Sequence, residues 1–453
     1  MAVDGAFPAA DARRTHQGAL VQVQRLGRGC WARRPAEHIC APRPFRSSAF
    51  ARLHENRTPA AGGRVSSPQP RRKILFLGTD DMAFWLHRLP LARAAKAAGY
   101  EVVVASKVSA YGERIRREGY LLLPLPWKRG SFNPARELLM IARIIRLYRS
   151  QRPDIVHHVA AKSIIYGSLA ARICGVPAVV NALTGLGFVF VSRSWKARLL
   201  KPLVRLAFKF TFSTPGSRTV FENPEDRRLF VEQGLLRPER SLVIRGSGVD
   251  LERFPPRPEP AGAPVVILAC RMLWDKGVGE FVEAARLLAE AGVKARLVLV
   301  GKGDPENPAS VPESRLAAWA EEGVIEWWGR REDMPQVFAA SHIVCLPSYR
   351  EGLSVTLMEG AASARPLVAA DVPGCRDIVR HEETGLLVPP RDGRALAAAL
   401  RRLIEDAGLR ARLGRNARGL AIAEFAEQKA VRRMLLLYED ELGGRPGSSG
   451  SRP

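Results

Sequence analysis

SYREGLSVTLMEGAASARPLV, residues 348–368, decides how the rest of the chain is read. The apolar run HIVCLPS (342–348) ahead of it predicts a buried strand. A polar loop with Glu351 and Gly352 follows, then an apolar-periodic helix over about 354–363 that carries Glu359, then a second strand, PLVAAD (366–371). Strand, loop, helix and strand in that order predict a βαβ unit and a parallel sheet. The helix start offers backbone N–H groups around Leu353 and Ser354 to an anion, because four donors there lack partners and the dipole is positive. Gly352 allows close backbone approach to a ligand. Glu351 is expected to point into a cleft, and Glu359, further along the helix, to take sugar hydroxyls.

Upstream, CRMLWDKG places Arg271 and Lys276 in the loop after a predicted strand, PVVILAC (264–270). Two cations there suit a diphosphate, Arg as a fork and Lys as a point charge. The helix 277–292 and the strand 295–301 continue the alternation. An equivalent pattern precedes it: strands at 73–78, 99–106, 153–159 and 177–183, with helices at about 88–98 and 163–175. Between the two halves, GVDLERFPPRPEPAGAP (248–264) carries five prolines and reads as a linker. The organisation expected is thus α/β. A disordered Arg/Pro-rich extension (1–70) precedes a first Rossmann-like domain (71–255), and a second Rossmann-like domain (256–424) follows. A C-terminal helix (425–442) packs back on the first domain, and a flexible tail (443–453) ends the chain. Ligands of open α/β sheets bind at the carboxyl ends of the strands, so the default site is the cleft between the domains.

The chain has 453 residues and a net charge of +25. That charge is uneven: residues 1–70 hold 11 basic and 4 acidic residues, residues 71–255 hold 32 and 14, and residues 256–453 hold 27 of each. A basic first half implies an anionic partner. No stretch reaches the ~18 apolar residues that a membrane-spanning helix needs. Six scattered cysteines without a Cys-x-x-Cys pair suggest neither zinc nor disulfides and fit a reducing cytoplasm.

Arg271-x4-Lys276-Gly277 followed by Glu351-x7-Glu359 resembles the retaining glycosyltransferase family 4, of GT-B fold. The segments GVDLERF (248–254), VLVGKGD (298–304), IEWWGRREDMPQVFAASHIVCLPS (325–348), PLVAADVPGCRDIV (366–379) and TGLLVPP (384–390) are similar to the same family, and the likeness covers roughly 73–442. The resemblance implies two Rossmann-like domains facing each other across a cleft and a nucleotide-sugar donor, a UDP-sugar by family-level preference, with no metal and no cofactor. It implies that Arg271 and Lys276 hold the donor diphosphate, Glu351 the transferred sugar and Glu359 the ribose. Backbone from Gly352 through Leu353 to Ser354 would touch sugar and phosphate, and the loops at Gly301 and Arg330 would flank the base. No Asp-x-Asp motif stands at a strand end; Asp80-Asp81 is an adjacent pair without metal-ligand spacing.

GTDDMAFWLHRLPLARA (78–94) and NALTGLGFVF (181–190) resemble enzymes that extend polyprenyl-diphosphate-linked and capsular glycans. The resemblance makes His87, Arg88, Thr184 and Gly185 acceptor-side candidates. His157 sits at a strand end with a structural role and an acceptor-side role both open, and Lys162, just beyond, is a candidate for an acceptor phosphate. SRSWKARLLKPLVRLAFKF (192–210) has six basic residues, no acidic one and an apolar face. It reads as a contact to an anionic membrane surface, which predicts a cytoplasmic enzyme held peripherally at the inner face of the plasma membrane. The expected partners are a nucleotide-sugar donor and a polyprenyl-diphosphate-linked or saccharide acceptor in cell-surface polysaccharide assembly. Nucleic acid is not expected, since no recognition motif accompanies the charge. A GT-B nucleotide-sugar epimerase is the alternative enzyme and needs acid/base groups from the first domain.

Overall fold

The computed structural model describes residues 71–128, 133–185 and 195–443. The extension 1–70, the tail from 444, and the parts of the 181–190 and 192–210 segments that fall within 186–194 lie outside the described residues. Seven parallel strands form the first sheet: β1 (Lys73–Leu77), β2 (Glu101–Ser106), β3 (Leu121–Pro124), β4 (Ile155–Val159), β5 (Ala178–Leu183), β6 (Ser217–Phe221) and β7 (Ser241–Val243), in the order β3-β2-β1-β4-β5-β6-β7. Six more form the second: β8 (Val265–Ala269), β9 (Arg296–Val300), β10 (Glu326–Trp327), β11 (Ile343–Leu346), β12 (Leu367–Ala370) and β13 (Gly385–Val388), in the order β10-β9-β8-β11-β12-β13. Both sheets are doubly wound. Their switch points lie between β1 and β4 and between β8 and β11, where loops diverge and leave a crevice. The sequence reading had not named β3, β6, β7, β10 or β13 as strands.

Near-continuous apolar strands follow from burial on both faces. In β8, Ile267 and Ala269 belong to one core cluster and Val266 and Leu268 to another. In β1, Ile74 and Phe76 face one layer and Leu75 and Leu77 the other. The first of those layers is completed by the C-terminal helix Glu427–Gly443, whose Met434, Leu437 and Tyr438 are buried in it.

The linker is ordered where it crosses between the sheets. The Val249 amide donates to Phe425 O (2.8 Å) and the Glu427 amide to Val249 O (3.0 Å), so the outgoing and returning chains pair. Gly248 makes that crossing possible. Its φ is +74°, and a Cβ there would lie 2.5 Å from Glu427 Cα.

Candidate active site

The loops after β8 and β11 lie side by side at the second switch point. The turn Trp274–Lys276 ends in Gly277 at φ +75°, and the helix Val278–Glu290 begins there. A Cβ on Gly277 would stand 2.2 Å from Pro347 O, so only glycine lets this turn press against the end of β11. The contact carries Lys276 to Glu351, with Nζ 2.6 Å from Oε1. Burial works against the ammonium, but the Glu351 charge and hydrogen bond outweigh it and Lys276 is held above its ordinary range. Arg271 Nη1 donates to Asp304 Oδ2 at 3.0 Å. Gly374, at φ +78°, supports the Glu351 backbone from the loop after β12; a Cβ there would lie 2.6 Å from Glu351 O.

Ser354 caps the helix Val355–Ala362, its hydroxyl accepting from the Leu357 amide at 3.2 Å. Glu359 sits on that helix. Burial, opposed only by Arg253, pushes its carboxyl up to about 8. Gly301, at φ +144°, lies where β9 leaves the sheet. Its amide donates to Gly329 O (2.7 Å), its carbonyl accepts from Trp327 Nε1 (2.8 Å), and a Cβ would fall 1.9 Å from Cys270 O.

The first domain meets this loop directly. Gly352 is so close to it that a Cβ would lie 2.6 Å from Glu222 Oε2 and 2.7 Å from Thr184 O. Asn223 Nδ2 donates to Gly352 O at 2.7 Å, Arg350 pairs with Asp226, and the Glu222 carboxyl faces the Leu353 amide. Burial, reinforced by Asp226 and Glu351 and opposed by Arg88 and the Leu353 amide, pushes the Glu222 carboxyl up to about 7. On another side of the cleft Arg330 donates to the Tyr111 hydroxyl, and Arg114 pairs with Glu332 at 3.1 Å. Glu222, Asn223, Asp226 and Tyr111 were missed in the sequence. Asn223 and Asp226 had a signal: Asn223-Pro224-Glu225-Asp226 is an N-cap, a proline at the first helical position and acids in the first turn. Asn223 Oδ1 indeed accepts from the Asp226 amide at 2.7 Å.

The remaining first-domain expectations divide. His87 stays half-buried at the cleft, where burial, Arg88 and Arg271 bring its imidazole down to about 4 against the pull of Asp80. Arg88 lies 4.0 Å from Glu222. Thr184 abuts Gly352 through its backbone, and Gly185 follows at φ +141°. His157 does not join them. It is fully buried within β4, its Nδ1 2.6 Å from the Tyr438 hydroxyl, so its ring belongs to the core. His158 is equally buried, between the Tyr148 hydroxyl (2.9 Å) and Asn181 Oδ1 (2.8 Å). The acid/base groups that an epimerase would draw from β4 are therefore withdrawn from the cleft. Lys162 is engaged elsewhere too: its Nζ donates to Glu137 Oε1 and to Lys128 O, both at 3.0 Å. Asp80 caps the helix Asp81–His87 through the Ala83 amide (2.7 Å), and Asp81 accepts from the Ser109 and Tyr111 amides. Among the described residues no group of three or more His, Cys, Asp or Glu is placed to hold a metal ion.

Known proteins share this architecture and these segments. The family profile described as "Glycosyl transferases group 1" matches residues 263–406, and that described as "Glycosyl transferase 4-like" matches 73–214. The chain is 27% identical to the N,N'-diacetylbacillosaminyl-diphospho-undecaprenol alpha-1,3-N-acetylgalactosaminyltransferase of Campylobacter jejuni, over 81% of this chain and 98% of that one. It is 26% identical to the UDP-Gal:alpha-D-GlcNAc-diphosphoundecaprenol alpha-1,3-galactosyltransferase of Escherichia coli, over 67% of this chain and 80% of that one. In fold it resembles sucrose-phosphate synthase of Thermosynechococcus elongatus, with a TM-score of 0.69 at 20% identity, covering 83% of this chain and all of the other. It likewise resembles Anabaena HepE, solved with UDP and glucose, with a TM-score of 0.66 at 19% identity over 82% of this chain and all of that one. With both of its halves matched, the chain belongs to the family-4-like, group 1 glycosyltransferases and is a transferase enzyme of GT-B fold.

Proposed function

We propose that this glycosyltransferase moves a sugar, with retention at the anomeric carbon, from a nucleotide sugar to a lipid-linked acceptor in the assembly of a cell-surface polysaccharide. A UDP-sugar is the first candidate for the donor and a polyprenyl-diphosphate-linked glycan for the acceptor, in keeping with the names of the Campylobacter and Escherichia relatives. The observation that carries the reading is the Lys276–Glu351 pair, 2.6 Å apart at the switch point beside the start of the helix Val355–Ala362. In the reaction the bond from the anomeric carbon to the diphosphate oxygen breaks, and the acceptor oxygen bonds to that carbon from the same face. The acceptor proton passes to the departing phosphate. Lys276, Arg271 and the helix start supply positive charge where the leaving group's negative charge grows, and this is how the protein dispenses with a metal. Glu351 holds the sugar and Glu359 the ribose.

Attachment to an anionic bilayer belongs to the same proposal. The helices Pro134–Gln151, Ala161–Cys174 and Trp195–Phe212 pack side by side against the first sheet. They expose Leu138 (67%), Leu139, Ile173, Leu206 (64%) and Phe210, with Arg136, Arg146 and Lys209 exposed among them. Apolar side chains set among cations suit a headgroup boundary, where each cation contributes about 1 kcal/mol. Among the described residues no helix is long and apolar enough to cross a membrane.

A panel of UDP- and GDP-sugars tested for thermal stabilisation checks the donor; saturation at 100 times the dissociation constant adds about 2.7 kcal/mol. The stabilising compound is then supplied with a polyprenyl-diphosphate sugar in anionic vesicles and the product read by proton NMR. An α-linked product from an α-linked donor is expected, and a β-linked product would overturn retention.

A further inference from the structure

The Gly352–Leu353 backbone is not open in this structure: Glu222, from the opposite domain, presses its carboxyl against it, with Oε2 2.6 Å from where a Cβ on Gly352 would stand and the Leu353 amide beside it. Glu222 follows β6 directly, so the strand fixes its backbone, and its side chain is only 14% exposed. On its far side lies Arg88, whose Nη2 is 4.0 Å away and whose buried Nε has no hydrogen-bond partner. Arg88 Nη1 reaches the His87 carbonyl at 3.3 Å. Glu351 and Asp226 add negative charge nearby. Whatever part of a donor reaches the Leu353 amide must therefore displace Glu222 or fit between the two.

The chemistry of the donor's two parts separates these outcomes. A phosphate oxygen only accepts hydrogen bonds and is negative, so beside the carboxylates of Glu222 and Glu351 it is repelled. A sugar hydroxyl both donates and accepts. It can take the Leu353 N–H and give its own proton to Glu222, leaving neither buried group unsatisfied. Lys276 and Arg271, placed at the neighbouring loop, remain for the diphosphate.

We propose that Glu222 is a specificity-determining residue of the transfer centre: a hydroxyl of the donor sugar inserts between the Leu353 amide and the Glu222 carboxylate, and Arg88 holds that carboxylate in place. The inference rests on the donor-site reading above and sharpens it, since it assigns the Leu353 amide to the sugar and leaves the amides of the helix start beyond it to the diphosphate. It also gives the first domain, otherwise the acceptor's side, a part in choosing the donor.

The test compares full-length wild-type, E222Q and E222A proteins, with dissociation constants for UDP, UDP-glucose, UDP-galactose and their 2-acetamido forms, and kcat and KM for transfer. E222Q keeps an oxygen for the Leu353 amide, so it holds the domain contact should E222A fail to fold. In E222Q the affinity for UDP stays within about twofold. Affinity for the preferred UDP-sugar falls roughly tenfold or more, and discrimination between the C4 epimers narrows, because a carboxylate built to accept a hydroxyl proton is lost. If UDP binds normally while E222Q discriminates among the sugars as the unaltered protein does, the role of Glu222 is overturned alone. Equal losses for UDP and for every UDP-sugar in both variants would likewise overturn it, in favour of a merely structural domain contact. Failure of UDP to bind the unaltered protein overturns the donor-site reading beneath it.

Discussion

Polar residues stand near the strand ends of both sheets, yet those held inside a strand do not reach the cleft. Glu351 lies five residues beyond the last residue of β11, and Lys276 seven beyond β8; both meet in the crevice at 2.6 Å. His157 and His158 lie inside β4, paired with Phe76 and Leu77 of β1 and with Val180 and Asn181 of β5. Because side chains alternate across a strand, the two rings go to opposite faces. His157 reaches Tyr438 of the C-terminal helix, and His158 reaches Tyr148 of the helix Pro134–Gln151. A polar residue within the ladder is thus committed to the layers above and below the sheet. One in the loop beyond the last pairing is free to face a ligand.

The largest break in this contrast is expected at Lys276. Lys276→Ala removes the cation at the leaving diphosphate, and transfer should fall by roughly 10²–10³ or more while the circular dichroism spectrum stays that of a folded α/β protein. Undiminished transfer would remove the diphosphate assignment. Gly352→Ala comes next. Its Cβ would sit 2.6 Å from Glu222 Oε2 and 2.7 Å from the Thr184 carbonyl oxygen, so the loop must retreat from the first domain. A displacement of the order of 1 Å costs about a hundredfold in rate, and single-turnover kinetics should show it in kcat. Wild-type kcat would mean that the two domains do not meet at Gly352 during transfer.

How far the sequence can be read follows from the same distinction. The second domain was legible because its site is carried by short loops between strongly patterned strands: Arg271, Lys276, Glu351 and Glu359 all fall on elements close to where periodicity placed them. The first domain was less so. Nothing local to His157 announces that Tyr438, 281 residues away, will cover it, for that packing is a long-range event. Glu222 was passed over because a lone carboxylate after a strand is ordinarily solvated. Its burial comes from two long-range approaches, that of Arg88 in its own domain and that of Gly352 from the other. The charge of Lys162 is visible in the sequence, whereas its pairing with Glu137 on a neighbouring helix is not. Strands β3, β7, β10 and β13, of two to four residues, are too short to carry a period.

Tyr438→Phe sharpens the contrast from the other side. It strips the hydroxyl from buried His157 Nδ1 and leaves that nitrogen unpaired, at a cost of about 1–3 kcal/mol in unfolding free energy by urea titration. Transfer should stay within about twofold, because the pair belongs to the core. A large loss of kcat with unchanged stability would return His157 to the reaction.

The smallest effect is a pH dependence in which the two regions pull in opposite directions. In the cleft, burial raises Glu359 to about 8 and Glu222 to about 7, from an ordinary value of 4.5. Over that interval the folded protein holds protons that the unfolded chain has released, so these groups lower stability progressively as pH rises from about 4.5 to 8. In the core, burial lowers His158 to about 4 and holds His157 well below 6.5, so the unfolded chain takes up protons first and stability falls as pH drops below about 6.5. The melting temperature of the unliganded protein should therefore pass through a maximum and decline by a few degrees on each side. Glu359→Gln should flatten the alkaline limb and leave the acid limb alone. Ribose hydroxyls donating to Glu359 require its ionised form. UDP binding near pH 7 should accordingly release protons, measurable as a calorimetric enthalpy that varies with the ionisation enthalpy of the buffer, and Glu359→Gln should abolish that variation. An alkaline limb unchanged by Glu359→Gln, together with proton release that persists in the variant, would place the titrating carboxyl elsewhere in the cleft, with Glu222 the first to examine.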